Sequence, residues 1–422
     1  MIPIEQIRNN IEYVKKQLAL KGDPKSVDTI FSLDKSYRSY ISKSNELRAK
    51  RNQVSDKISV AKKSGDTADK EIKDMRIVGE EIKSIEEKAN EIKSKLDELL
   101  LRLPNLPHES TPEGKDETEN KLIREWGEET KTEHELKTHL DLGDDLDLFD
   151  FEAAAKISGS GFPLYKGKGA KLERALINYM LDFQTKNHGY MEIFPPFMVR
   201  DSSPLTTGNL PKFSDDMYYI QSDELWMIPT AEVPITNLHQ NEILSEDQLP
   251  LKYAAYSACF RREAGSHGKD TKGLLRLHQF NKVELVQFVK PENSYEVLED
   301  LTANAEAILQ SLGLKYRVIE LCSGDLSFAA AKCYDLELWA PAEEKWLEVS
   351  SCSNFESFQA RRGNIRYRNS KDNNIEFVHT LNGSGVATPR LLVSLLETYQ
   401  NSDGSISIPK PLQPYIGLEV ID

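Results

Sequence analysis

Paired arginines beside an aromatic residue at the mouth of a glycine-bearing loop can hold a nucleotide triphosphate. The stretch from Phe260 to Glu284, FRREAGSHGKDTKGLLRLHQFNKVE, has that make-up. The 422-residue chain carries a formal charge of -14, yet here Arg261, Arg262, Lys269, Lys272, Arg276 and Lys282 face only Glu263, Asp270 and Glu284. A guanidinium offers bidentate hydrogen bonds to phosphate or carboxylate, and Phe280 adds a face on which a base can stack. The flanks, YSACFRRE and HQFNKVELVQFVK, alternate apolar and polar residues like strands. Between them AGSHGKDTKG holds three glycines and no large apolar residue. This predicts a β-hairpin with a long basic loop. A solvated basic loop with no ligand is the alternative, since charge runs are usually surface.

Three further stretches carry groups suited to chemistry. In Met227–Ile235, MIPTAEVPI, the Thr230 hydroxyl and the Glu232 carboxylate alternate on one face of a predicted extended run, placed either for a small polar ligand or on a surface loop. In Trp346–Asn354, WLEVSSCSN, a predicted strand carries Glu348, which would cost free energy if buried unpaired and so points to a metal or nucleotide, or else to a sheet edge. In Thr380–Arg390, TLNGSGVATPR, glycines predict a turn, and Pro389 with Arg390 opens an amphipathic helix, an arrangement suited to an anion.

These groups need elements to position them. From about 27 to 101 the chain is polar and nearly free of Gly and Pro, and reads as two long helices. Leu33, Tyr37, Tyr40, Ser44, Leu47, Arg51, Val54, Ile58 and Ala61 form one coiled-coil seam, and Ile72, Met75, Val78, Ile82, Ile85, Ala89, Ile92, Leu96 and Leu99 a second, with the turn at Lys63, Ser64, Gly65 and Asp66. Such an antiparallel arm is either an oligomerisation strut or a reaching device. Lys43, Arg48, Lys50, Arg51, Lys57, Lys62 and Lys63 crowd its first helix, suiting phosphate contacts or simply solvated ion pairs. Residues 103–150, acidic and punctuated by Pro and Gly, read as a hinge of little regular structure. The body follows. A helix is predicted over Ala170–Lys186, then a strand broken by Pro195 and Pro196, which belongs at an edge or interface.

Composition narrows the function classes. Charged residues make up 29% and no apolar run approaches the ~20 residues of a membrane span. The N-terminal MIPIEQIRNNIEYVKKQLALKG lacks the pattern of a signal peptide, so a soluble, cytoplasmic protein is expected. Cys259, Cys322, Cys333 and Cys352 are widely spaced with no CxxC pair, so buried free thiols are expected and no zinc.

The Phe-Arg-x-Glu and His-Gln-Phe-x-Lys-Val-Glu pair resembles motif 2 of the class II aminoacyl-tRNA synthetases, in the form of the seryl-tRNA synthetase family. The helix into proline-bearing strand resembles motif 1, and Thr380–Arg390 motif 3, in the same order. NELRAKRN at Asn45–Asn52, LPNLPHESTPEGKDETEN, LGDDLDLFDFEAAAKISGSGF and the terminal IPKPLQPYIG are also similar to the family, so the likeness spans nearly the whole chain. Two departures stand out: Gly161-Phe162-Pro163 occupies the place of an Arg-Phe pair, and Thr388-Pro389 that of a smaller pair.

The resemblance implies an α+β fold, a long antiparallel coiled-coil arm plus an antiparallel β-sheet core flanked by helices. It implies a tRNA-binding domain over 1–102, a linker over 103–150 and a catalytic domain over 151–422. It implies a homodimeric serine–tRNA ligase using ATP and Mg2+, with tRNA(Ser), and tRNA(Sec) where present, as partners. Carried over by motif, Arg261, Arg262, Glu263, Arg276, Phe280, Glu348, Val349, Ser350, Ser351 and Arg390 would bind ATP, Glu348 with the Mg2+. Thr230, Ala231, Glu232, Arg261, Glu284, Asn382 and Ser384 would bind serine. Arg261, Glu348 and Arg390 would be catalytic, and Arg48, Lys50, Arg51 and Lys57 would contact tRNA. An enzyme of the same fold that aminoacylates a carrier protein, and a non-catalytic coiled-coil interaction protein, are the rival readings.

Overall fold

A computed structural model of the chain describes every residue except 23, 66, 129–133 and 265–271. Lys269 and Asp270 of the basic loop, and Asp66 of the helix–helix turn, lie outside the described residues. The chain divides into two compact units, residues 2–104 and residues 105–422 with Met1.

The first unit is helical: α1 (Ile4–Asn9), α2 (Ile11–Leu20), α3 (Val27–Lys63) and α4 (Asp69–Arg102). With 37 and 34 residues, α3 and α4 are each about 50 Å long at 1.5 Å per residue, and they pack against each other along a seam containing Leu47, Ile82 and Ile85. Ser44 is a buried polar member of that seam, its Oγ donating to Glu86 Oε1 at 2.9 Å. Arg51 and Ile72, expected in the seam, are exposed instead. A straight helix drifts off a strict heptad register, which carries positions away from the contact line. At the base, Arg8 of α1 makes a bidentate bond to the buried Asp34 of α3 at 2.8 and 2.7 Å, which holds that carboxyl below its usual range.

The second unit is built on an eight-stranded sheet. Its strands in chain order are β1 (Lys121–Trp126), β2 (Met191–Ile193), β3 (Leu251–Phe260), β4 (Gln279–Val289), β5 (Tyr316–Glu320), β6 (Lys332–Ala340), β7 (Lys345–Asn354) and β8 (His379–Ala387). The spatial order is β1-β5-β6-β7-β8-β4-β3-β2, antiparallel throughout except for the edge pair β2 and β3. Helices α5 (Gly167–His188), α6 (Ser294–Ser311) and α7 (Thr388–Thr398) pack on one face through Leu176, Met180, Leu301, Ile308, Leu392 and Leu395. Alternation along β4 sends Val283 and Leu285 into that helical core. Lys282 and Glu284 therefore belong to the opposite face, with Val286 and Phe288, which join a separate apolar cluster. The four cysteines are free and buried.

Three stretches differ from their sequence expectation. Of residues 103–150, read as a hinge, 105–150 contain edge strand β1 and the helix His139–Asp145, and cluster with the body. Polar surroundings in sequence concealed that β1 needs only one partner, β5, and places Lys121, Arg124 and Glu125 among three apolar residues on a sheet edge. The glycines of Thr380–Ala387 form a central strand rather than a turn; Gly383 and Gly385 let Cys352, Leu301 and Leu285 approach the backbone within 3.4 Å of where a Cβ would sit. The proline-broken strand becomes two, β2 and Met198–Arg200, which lie in different sheets.

Candidate active site

The hairpin of β3 and β4 forms as expected, with ten paired positions from Leu251↔Phe288 to Phe260↔Gln279. On the face of the sheet away from α5–α7, it walls a cavity of about 950 Å³ together with β7, β8, the start of α7 and the segments around 207–217 and 227–232. Thr230, Glu232, Arg261, Glu263, Arg276, Phe280, Glu348, Val349, Ser350, Ser351, Asn382, Ser384 and Arg390 all line it.

Two ends of the cavity have different chemistry. At the cationic end, Arg261 lies over the Phe280 ring, 5.1 Å from its centroid, with Nε donating to the Pro229 carbonyl at 3.3 Å. A guanidinium thus lies over one face of the ring expected to take a base. Arg276 Nη1 donates to Glu263 Oε2 at 2.8 Å, tying together the two ends of the basic loop. Arg390, in the first turn of α7 behind Pro389, donates from Nε to the Leu275 carbonyl at 3.2 Å and from Nη1 to the Glu348 carbonyl at 2.9 Å. The Glu348 carboxylate stands 3.7 Å from Arg390 and is half exposed. Glu348 is neither buried unpaired nor on a sheet edge: β7 lies between β6 and β8, and the side chain opens into the cavity.

Behind the lining of the other end Glu284 is fully buried, and three lining residues contact its carboxylate. Thr230 Oγ1 donates at 3.1 Å, Asn382 Nδ2 at 2.7 Å, and Lys282 Nζ lies 2.5 Å away. Glu232 has a different environment. Its Oε1 accepts from the buried Gln359 Nε2 at 2.7 Å, and burial, reinforced by the Glu284 charge, pushes its pKa up to about 7. Gln359 is held in turn by Thr380 Oγ1, which donates to Gln359 Oε1 at 2.8 Å. Ser350 Oγ donates to the Ser384 carbonyl at 2.6 Å, fixing β7 against β8 behind this end.

Thr230 and Glu232 do not alternate along an extended run. Glu232 begins the short helix Glu232–Thr236, and its N–H donates to Thr230 Oγ1 at 3.2 Å. The turn brings both side chains to the cavity by a different geometry from the one expected. Ala231, Arg262 and Glu284 do not line it: Ala231 and Glu284 are buried, and Arg262 lies over the Tyr218 ring. Arg48, Lys50, Arg51 and Lys57 are exposed on α3 of the other unit, with Arg48 paired to Glu86 at 2.7 Å.

Sequence reasoning missed two members of the site. Lys282 was counted only as one of six cations, although its alternation with Glu284 along β4 was a readable signal. Gln359, on the short helix Phe358–Gly363, carries no local signal, because only the fold brings it to Glu232.

Comparison with known proteins follows the same division. Residues 1–107 match the profile of the seryl-tRNA synthetase N-terminal domain, and residues 215–399 that of the tRNA synthetase class II core domain (G, H, P, S and T). A serine–tRNA ligase of Listeria welshimeri is 53% identical over 99% of this chain and 98% of its own. Among solved structures, the seryl-tRNA synthetase of Pyrococcus horikoshii complexed with ATP superposes with a TM-score of 0.94 at 40% identity, covering 100% of this chain and 99% of that one. The cytoplasmic serine–tRNA ligase of Naegleria fowleri in complex with AMP gives 0.87 at 31% identity, covering 99% and 97%.

Proposed function

Since the chain belongs to the seryl-tRNA synthetase family of class II enzymes and is a serine–tRNA ligase, we propose a residue-level account of how its cavity works. The observation that carries it is the polarity of the cavity, with guanidinium groups at one end and, at the other, the Glu232 carboxyl, with Glu284 buried behind the lining residues Thr230, Lys282 and Asn382.

The reaction has two steps. The serine carboxylate attacks the α-phosphorus of ATP and pyrophosphate leaves; a hydroxyl of the terminal tRNA ribose then attacks the seryl carbonyl and AMP leaves. Two anions must meet in the first step, and Arg261 suits the point between them because its fork can bond both at once. Once ATP enters, Arg261 leaves the Phe280 ring, which then stacks on adenine. Arg276 and Arg390 take the outer phosphates, Arg262 and Glu263 border the nucleotide, and Val349, Ser350 and Ser351 form the floor beneath it. Developing charge on the pentacoordinate phosphorus is stabilised by groups already fixed in place. No covalent intermediate with the protein is required.

Glu348 fits a Mg2+ bound with the nucleotide. Its carboxylate is half exposed in the cavity and only loosely paired with Arg390, and this ion typically keeps several waters and takes one or two protein carboxylates plus phosphate oxygens. Bound there, Mg2+ would supply neutralisation of phosphate charge.

Serine occupies the other end. Glu232 and Glu284 take its ammonium and hydroxyl, with Thr230, Ser384 and Asn382 completing the pocket and Ala231 supporting it from below. Arg48, Lys50, Arg51 and Lys57 serve as backbone contacts for tRNA(Ser), and for tRNA(Sec) where the host makes one, since a duplex RNA arm is read largely by shape. The domain reading is a tRNA-binding unit over 1–102 and a catalytic body. The protein acts in the cytoplasm as a homodimer through edge strand β2 and its surroundings, where Met191, Phe194 and Met198 are 62%, 74% and 48% exposed. Among the described residues no helix is long and apolar enough to cross a membrane.

The test is exchange of pyrophosphate into ATP without tRNA, offered each of the twenty amino acids in turn. Serine alone should stimulate it, and Arg261→Ala should lower the rate by at least about 10³-fold, with the fold retained by circular dichroism. Stimulation by another amino acid would overturn the specificity, and retained exchange in the variant would remove Arg261 from its role.

A further inference from the structure

His139 stands outside the cavity and outside the account above, yet it is fully buried and touches the segment that returns from the basic loop. Its Nε2 accepts from the Leu274 backbone N–H at 3.4 Å. Its Nδ1 lies 3.5 Å from Glu397 Oε1 and 3.5 Å from Glu343 Oε1. Glu397, itself fully buried on α7, also accepts from the backbone N–H of His139 at 3.2 Å, of Ala342 at 3.0 Å and of Glu343 at 3.2 Å. Gly273 completes the contact. Its φ is +62°, and a Cβ there would lie 2.4 Å from His139 Nε2 and 2.8 Å from Leu140 Cδ2, so the ring packs directly on the backbone.

Proton bookkeeping decides what this cluster does. His139, Glu343 and Glu397 are close enough together to hold a cation. A neutral imidazole, however, has one N–H, and the Leu274 N–H requires a lone pair at Nε2. The proton is therefore on Nδ1, facing the two carboxylates, which removes the lone pair a metal would need. What remains is an imidazole whose Nδ1 lies 3.5 Å from both carboxylates without a hydrogen bond to either, and whose Nε2 is aimed at one backbone N–H.

The next residue connects this to the chemistry. The Leu275 carbonyl accepts from Arg390 Nε, and Arg390 and Glu397 stand near opposite ends of the same helix, α7. The Gly273–Leu275 backbone is thus tied to α7 twice, directly through Arg390 and through His139 to Glu397. We propose that His139 is a positioning residue for adenylate formation: by holding the Leu274 N–H it sets the Leu275 carbonyl that orients the Arg390 guanidinium toward the outer phosphates of ATP. This rests on the reading of Arg390 as a phosphate ligand.

Two variants of similar polarity separate the contact from general packing. In His139→Gln the amide reaches the Nε2 position and still accepts from Leu274. In His139→Asn it reaches only the Nδ1 position, so that acceptor is lost. In serine-dependent pyrophosphate exchange on the full-length protein, His139→Asn should raise the KM for ATP about fivefold, the worth of about 1 kcal/mol. The KM for serine should stay within about twofold, and His139→Gln should restore the ATP value. In an Arg390→Lys background, with the ATP Kd measured by calorimetry, the effect of His139→Asn should vanish because its route is already broken. An unchanged ATP KM in His139→Asn would overturn the proposal, as would parallel increases for ATP and serine with an equal loss in both variants. Additive effects of His139→Asn and Arg390→Lys would refute His139 alone. If Arg390→Lys by itself left ATP binding intact, the phosphate role would fall and take this proposal with it. A stoichiometric metal in the purified protein that His139→Asn removes would also refute it.

Discussion

Replacing Glu232 by Gln should make the protein more stable and less active, with a difference in stability that depends on pH. The carboxyl has an ordinary value of 4.5 and about 7 in the folded protein, raised first by burial and then by the Glu284 charge. A raised carboxyl pKa means that the folded state holds the proton more tightly than the unfolded chain. Folding therefore loses stability as pH rises from about 4.5 through about 7, and bears the full cost above that. The gap, at about 1.36 kcal/mol per pH unit, sets a ceiling of about 3.4 kcal/mol. Cavity water still reaches part of the side chain, so the working figure is about 2 to 3 kcal/mol. Gln can keep the bond from Gln359 with its own amide oxygen while removing the charge. For residues 105–422, an unfolding entropy of about 2.1 cal/mol/K per residue converts that figure to about 3 to 4.5 °C in Tm.

The assay is a pair of melting curves at pH 8 and pH 5 for the two proteins without ligand. Glu232→Gln should melt about 3 to 4.5 °C higher at pH 8, whereas at pH 5 the gap should correspond to less than about 1 kcal/mol. Losing a charged hydrogen bond should at the same time raise the KM for serine about 10- to 100-fold. Equal Tm gaps at both pH values would show that the carboxyl titrates normally. A lower Tm for the variant at pH 8 would reverse the sign of the electrostatics. An unchanged serine KM would take Glu232 out of the serine pocket.

Two other perturbations test the remaining parts of the molecule. Excising residues 27–102 with a short bridging linker should leave serine-dependent pyrophosphate exchange within about twofold and reduce tRNA charging at least about 100-fold, the scale expected when several phosphate contacts are lost together; equal charging would refute the arm as the RNA contact. Phe194→Asp, which puts a charge on the exposed apolar surface beside β2, should shift the protein from dimer to monomer in light scattering at micromolar concentration, and an unchanged mass would remove this surface from the interface.

Much of this architecture was legible because its signals are local. The β3–β4 hairpin is written as two alternating runs around a glycine-bearing loop, and α5 as a helical period closed by Gly189 in a left-handed conformation. What was hidden depends on register or on long-range contacts. Nothing near Glu284 in the sequence says that it is fully buried; that follows from its place in β4, one strand from Asn382 and Ser384 on β8. Thr230 and Glu232 looked like alternating strand positions, but Pro234 fits the first turn of a helix, and the chain turns there. His139 lay in a stretch whose acidic, Pro- and Gly-containing composition suggested a hinge, and its partner Leu274 is 135 residues away.

On the proposed reading, the end of the cavity beside Glu232 gives a reason for a protein to keep an ionisable group where it is costly. Glu284 is held by Thr230, Asn382 and Lys282, whereas Glu232 has a single amide donor, Gln359, and a raised pKa. The two carboxyls are therefore not equivalent. On the proposed reading Glu284 is an acceptor already held by three donors, and Glu232 is the group whose ionisation becomes favourable when an ammonium or hydroxyl donor arrives. A ligand lacking one of those donors would leave a buried acceptor unpaired, and a site built this way rejects such an analogue far more strongly than shape alone can. Alanine lacks only the hydroxyl. On the proposed reading its exclusion depends on whichever of the two carboxyls receives that hydroxyl, and the stability expected to be gained in Glu232→Gln is the other face of the same discrimination.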